Sequence, residues 1–300
     1  MNMQEAIKQA CASVGIVPPK SYAEGRWSKT DTLSGKNGKG DGRIFVDVDH
    51  VVAWNHQTGQ HQSVRLKDDF TPAERKQAAR RREDGERKKR ERTRQAAAVA
   101  AAMAEDAKLS IHPYLAAKGF REEKALVLDA ATVGKLGGDY LIAGERAIVV
   151  PARIGKQISS VQLIWEDGTK KFLFGGEIGG ASHRIAKGTD TWHCEGYATG
   201  LTLRAALKDL RRSDTILCCF SAGNVAAVAR AAKGRAYIVT DNDKPMPQFD
   251  GLGTGEYWAR QSGRPYVMPP ELGDINDLHQ GAGIFAVQRL LTNFLRELRM

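Results

Sequence analysis

The sequence predicts an α/β protein in which a parallel sheet with helices on both faces follows an α+β subdomain and a small β-containing N-terminal domain. Three observations carry this reading. Strand-like and helix-like segments alternate from Thr191 to Met268, the pattern of parallel strands joined by crossover helices. Upstream, two β-branched runs meet at a single glycine, Gly155, as a hairpin does. Between 71 and 108 the composition shifts to Ala, Arg, Lys, Glu and Gln, which marks a helical connection between two folded parts.

From residue 1 to 70 the chain is turn-rich, with Ser34 to Arg43 (SGKNGKGDGR) as a flexible turn. RIFVDVDHVVAWN then reads as one extended segment, followed by a turn at Gln57-Thr58-Gly59 and a second strand, HQSVRL. GKNGKG is not a phosphate-binding P-loop, because no Ser or Thr follows its lysines and the spacing is wrong. Thr71, Pro72 and Glu74 form a capping-box pattern that opens a basic helix or helix pair over 71–108. Its first half has almost no apolar stripe before Ala96, and Gly85 is its one breaker. Arg80, Arg81 and Arg82 head its basic clusters. They suit a solvated linker with internal Glu/Arg pairs, or a surface that contacts DNA backbone phosphates, and both can hold.

The subdomain over 109–190 begins with a short helix, HPYLAAKGF, that ends at Gly119. The hairpin AIVVPARI/ISSVQLIW follows, and after the Asp167-Gly168 turn comes GTKKFLF. Over 191–283 the order is TWHCE strand, ATGLTLRAALKDL helix, TILCCF strand, AGNVAAVARAAK helix, RAYIVT strand, a helix over Gly255 to Ser262, and the short strand RPYVM. Residues 284–300 close the chain with an amphipathic helix.

Composition narrows the class. A net charge of +10 and a pI near 9.5 favour polyanionic partners. No run approaches the ~20 apolar residues of a membrane helix, and the opening residues lack the pattern of a secretory signal. The expectation is a cytoplasmic protein with no membrane partner. Cys11, Cys194, Cys218 and Cys219 lack the clustered spacing of a structural zinc site, so no zinc is expected.

Acidic residues fall where an open parallel sheet binds its ligands, at the carboxyl ends of strands. Glu195 ends TWHCE, Asp241 and Asp243 follow RAYIVT, and Asp274 and Asp277 lie in GDINDL after the next strand. Two carboxylates about 5 Å apart repel by roughly 3 kcal/mol at an effective dielectric of ~20. A cluster of them therefore takes up protons or binds a cation, and oxygen-only ligands suit Mg²⁺ or Mn²⁺. Residues i and i+2 of an extended turn point the same way, so Asp241 and Asp243 can reach one metal.

EGYATGLTL (195–203), TDND (240–243) and GDINDL (273–278), with Ser221-Ala222-Gly223-Asn224 between the first two, resemble the ordered motifs of TOPRIM domains. The flavour is that of phage- and plasmid-type DNA primases, and the resemblance runs from about Ile111 to Gly283. It implies synthesis of RNA primers on a single-stranded DNA template from ribonucleoside triphosphates. Glu195, Asp241 and Asp243 would be catalytic and, with Asp274 and Asp277 in support, would ligate the metal. Lys170, Lys171 and Arg184 would contact triphosphate or template, against the plainer reading of surface charge, and Asn224 would shape the crevice. His183 and His193 read as structural. The zinc module and the helicase of many relatives have no counterpart here. Template choice then falls to the N-terminal strands, the basic helix or a partner such as a separate replicative helicase. A TOPRIM nuclease and a non-catalytic nucleic-acid-binding regulator of replication are the competing readings.

Overall fold

Asn2 and Glu5 open the first element. The Asn2 side chain accepts the Glu5 N–H and the Glu5 carboxylate accepts the Asn2 N–H, a reciprocal cap that starts α1 (Met3–Val14). Its apolar stripe, Ala6, Ile7, Ala10, Cys11 and Val14, is buried. The computed structural model describes residues 1–33, 39–66 and 71–298, apart from the side chains at 72, 74, 75, 78 and 248. Much of the expected turn from Ser34 to Arg43, and the Glu74 arm of the expected capping box, lie outside the described residues. Two units separate, Met1–Lys88 and Lys89–Met300.

In the first unit α1 packs on an antiparallel sheet, β1 (Trp27–Thr30), β2 (Gly42–Val46), β3 (His50–Asn55) and β4 (His61–Arg65), in that order. Ile44, Val46, Val51, Ala53 and Val64 alternate onto its inner face and meet the α1 stripe. The segment expected to be one extended run is therefore two strands. The chain reverses at Asp47-Val48-Asp49, where the Asp47 N–H donates to His50 O and the Asp47 carboxylate accepts the Val48 N–H. Such side-chain-to-backbone bonding lets aspartate break a strand. The helix α2 (Pro72–Asp106) spans most of the expected basic segment and crosses the boundary between the units.

The second unit holds two five-stranded sheets. The antiparallel one runs β5 (Lys108–Ser110), β6 (Ala125–Asp129), β7 (Arg146–Ile154), β8 (Gln157–Trp165) and β9 (Lys170–Phe172). The expected hairpin is present as β7 and β8, turning at Gly155 with φ +61°. α3 (Pro113–Ala117) and α4 (Ala130–Gly137) lie in the connections. The other sheet is ordered β10-β12-β11-β13-β14: β10 (His183–Ala186), β11 (Thr191–Cys194), β12 (Thr215–Cys218), β13 (Ala236–Val239) and β14 (Tyr266–Val267). All but the edge strand β10 are parallel. Its helices are α5 (Tyr197–Asp209), α6 (Ala222–Ala231), α7 (Thr254–Ser262), α8 (Ile275–Ala282) and α9 (Ile284–Glu297).

Alternation along the strands divides those helices between the two faces. Trp192, Ile216, Tyr237 and Val239 pack with α5 and α9, through Leu201, Val287, Leu291 and Phe294. Ile238 packs with Val225 and Ala229 of α6 and Ala259 of α7 on the opposite face. The architecture is mixed α/β, with helices on both faces of a largely parallel sheet. Among the described residues no helix is long and apolar enough to cross a membrane.

Candidate functional site

The parallel strands β11, β12 and β13 all end at one edge, and the chain leaving β11 and β13 supplies carboxylates there. Glu195 follows β11 directly. Its backbone oxygen accepts the N–H of Phe220, which adopts φ +72°. A bulky side chain in that left-handed region is strained by about 1 kcal/mol or more. The chain then enters α6, and the Ala222 N–H at its start favours the charged Glu195 carboxylate, opposing the rise that burial imposes.

The turn after β13 carries Asp241, Asn242 and Asp243. Asn242 exchanges both backbone hydrogen bonds with Gly273, and its side chain donates to Pro269 O. The residues on either side are left facing the other way, as alternation requires. The same bridge draws in Asp274, the N-cap of α8, whose carboxylate accepts from Thr199 Oγ1 at 3.2 Å. The Asp243 carboxylate accepts the Gly255 N–H at 2.8 Å, closing the uncapped start of α7. A Cβ on Gly253 would collide with the Asp243 backbone, and one on Gly255 with Thr240 Oγ1 and Asp241 O. These two glycines let α7 abut the acidic turn.

Electrostatics identifies which groups share the site. Burial, then Glu195, Asp274 and Asp243, push the Asp241 carboxyl up to about 8, while Lys170 opposes the rise. Burial, then Asp243, raises Glu195 as well, again against Lys170. Asp241 Oδ1 is buried with no hydrogen-bond partner. A carboxylate in that condition is stabilised by a proton or a cation. The oxygen-only donor set, Glu195, Asp241, Asp243 and Asp274, fits Mg²⁺ or Mn²⁺ by ligand type.

A cleft of about 330 Å³ borders the site at Asp274 and Gly196 and is lined further by Tyr114, Lys118, the 166–168 turn, Lys170 and Thr199. The uncapped N-terminus of α5, at Gly196 and Ala198, and the turn that leads into β9 both line it.

Other expected residues lie elsewhere or do other work. Asp277 accepts the Asp274 N–H in a reciprocal cap and lies 3.9 Å from Lys118 Nζ. Lys171, one residue along β9, points to the opposite side of the strand from Lys170. Arg184 is exposed on β10, opposite Leu217. Asn224 is buried, donating to Ala181 O and Cys219 O and accepting from the Gly180 N–H, so it ties the 180–181 loop to the end of β12. His183 bonds Pro151 O and His193 bonds Tyr237 O; burial lowers both, His193 to about 4. All four cysteines are buried and free.

In the first unit, Arg82 pairs with Asp49 at 2.9 Å and Arg81 with Asp47 at 3.8 Å. Burial pushes the Asp49 carboxyl up, but the His50 hydrogen bond and the charges of His50 and Arg82 hold it below its ordinary value. Asp47, Asp49 and His50 each offer a ligand atom within 4.8 Å of the others, a compactness the strand-end acids do not reach among the described residues. The sequence reading passed over this group, although DVDH carries a recognisable alternation of ligand types. It also missed Lys118, Tyr114 and Thr199 as cleft residues.

No family model matches the chain. Among solved structures it is similar to one of the bacteriophage T7 lagging-strand DNA polymerase interacting with primase domains of two gp4 subunits bound to an RNA/DNA hybrid and dTTP. The identity is 15% and the TM-score 0.35, over 48% of this chain and 76% of that one.

Proposed function

We propose that this chain is a DNA primase that makes short RNA primers on single-stranded DNA by metal-dependent nucleotidyl transfer. In this reading 191–283 is a TOPRIM domain, 109–190 a primase-type subdomain, 284–300 its closing helix, 71–108 a basic linker and 1–70 an accessory domain. The observation that carries it is the meeting of Glu195, Asp241, Asp243 and Asp274 at the strand ends, with Lys170 the opposing cation.

Glu195, Asp241 and Asp243, supported by Asp274, would hold Mg²⁺ or Mn²⁺, which when bound neutralises phosphate charge and lowers the pKa of an attacking hydroxyl. Burial and Asp243 raise the Glu195 carboxyl above its ordinary value, which suits it to accept and return a proton during transfer. Lys170 lines the cleft together with Asp274 and would orient a triphosphate as a point charge. The unpaired N–H groups at the start of α5 would face the same anion.

Incorporation of labelled ribonucleotides on single-stranded templates of varied sequence, with and without Mg²⁺ or Mn²⁺, tests the reading. Products that follow template sequence and require metal support it. Degradation of the template without any product would assign the site to a nuclease instead.

A further inference from the structure

The outer face of the N-terminal sheet has no part in the strand-end site, and its composition is unusual. The strand positions pointing away from α1 are Trp27 and Lys29 on β1, Arg43 and Phe45 on β2, His50, Val52 and Trp54 on β3, and His61, Ser63 and Arg65 on β4. Register places Trp27 beside Phe45, Lys29 beside Arg43, Arg43 beside Trp54 and His50 beside Arg65. Aromatic and cationic residues thus lie side by side on this face, and no outward strand position carries a carboxylate.

The rings form one connected group. Trp27 lies 5.6 Å from Phe45 and 6.2 Å from Trp54, and Trp54 stacks on His56 at 4.5 Å. Trp27 is 49% exposed and Trp54 39%, so the largest apolar side chains of this unit open to solvent. Asp41 acts on His56 at the rim of the ring group, and the acids of the β2–β3 turn, Asp47 and Asp49, already pair with Arg81 and Arg82. The face is left positive.

We propose that this face is a stacking platform for single-stranded DNA. Exposed rings on a flat sheet offer π-surfaces to unpaired bases, and cations spaced between them meet the phosphates joining those bases. A duplex hides its base faces and gains only from the cations. A protein partner of an acidic kind would meet the cations, but would have no need of three neighbouring rings held open. Stacking on rings and pairing with phosphates make no use of a ribose 2′-hydroxyl, and the deoxy strand is the occupant proposed. The inference stands on the first unit alone and does not require nucleotidyl transfer.

Titrating the full chain with labelled oligo(dT) of about 20 nucleotides, longer than one such platform covers, tests it in the absence of nucleotides. Trp27→Ala and Trp54→Ala should each weaken binding by roughly tenfold and leave its salt dependence nearly unchanged. Trp27→Phe and Trp54→Phe, which keep a ring, should retain most of the affinity. Lys29→Gln with Arg65→Gln should flatten the salt slope instead. If an alanine variant fails to fold, quenching of wild-type tryptophan fluorescence by oligo(dT), but not by duplex, serves in its place. Equal affinity of folded alanine variants and wild type, equal binding of duplex, tighter binding of oligo(rU), or no quenching would each overturn the proposal.

Discussion

Asp241 is the carboxylate on which burial and charge act most strongly. Its carboxyl titrates near 8 in the fold, against an ordinary value of 3.8. Below both values it is neutral in the folded and unfolded chain alike. Between them the unfolded chain has lost a proton that the folded chain keeps, so metal-free stability falls as pH rises through that window and levels off above it. Asp241→Asn should therefore stabilise the metal-free protein by several kcal/mol near pH 9 and by far less near pH 4. Thermal melts at the two pH values check this; an equal effect at both would mean that the carboxyl is not held neutral. Mg²⁺ should raise the melting temperature of wild type more than that of the variant. That Asp241 sits at a strand end was legible from RAYIVTDND, because strand period and turn residues are local signals. Its burial was not legible, because it depends on Gly253 and Gly255 bringing α7 against the turn, a contact made across the fold.

At the scale of elements, α8 separates structural from chemical acids. Asp274 and Asp277 cap the helix reciprocally, yet Asp274 alone acts on the carboxyls of Asp241 and Glu195. Asp277→Ala should cost roughly 0.5–1 kcal/mol of stability and leave catalysis near wild type. Asp274→Ala should cost about 1–2 kcal/mol and depress catalysis as well; similar activity losses from both would show that the cap, not the carboxylate, matters. Sequence alone treats the two as equals because GDINDL shows their spacing and not their partners. The helix α2 holds a similar ambiguity. Arg81 and Arg82 are engaged by Asp47 and Asp49, and the exposed Arg82 pair contributes at most about 1 kcal/mol. Replacing Arg80, Arg81 and Arg82 with Ala should flatten the slope of log affinity for single strands against log salt by up to about two units, with catalysis at saturating template intact. An unchanged slope would make this stretch a linker that anchors the first unit. Two further elements escaped the sequence reading for identifiable reasons. α1 is announced only by Asn2, Glu5 and a short stripe, and the β2–β3 reversal is made by Asp47 inside a run that otherwise alternates like one strand.

For the whole molecule, the alternation of strands and helices from Thr191 onward was legible, because parallel sheets write their order directly into periodicity. The cleft was not, since Tyr114, Lys118 and Lys170 reach it from elements more than twenty residues upstream of Thr191. The second unit carries an acidic strand-end site, and the first carries a positive, ring-bearing sheet. We propose that the strand-end carboxylates carry out metal-dependent nucleotidyl transfer. The most direct measurement is the rate of labelled ribonucleotide incorporation on single-stranded DNA at saturating Mg²⁺ or Mn²⁺, for wild type, Glu195→Ala, Asp241→Ala, Asp243→Ala and Asp277→Ala. The account predicts losses of about a hundredfold or more, on the order of 3 kcal/mol of barrier, in the first three variants and a near-normal rate in Asp277→Ala. Near-normal rates in Glu195→Ala, Asp241→Ala and Asp243→Ala would contradict it.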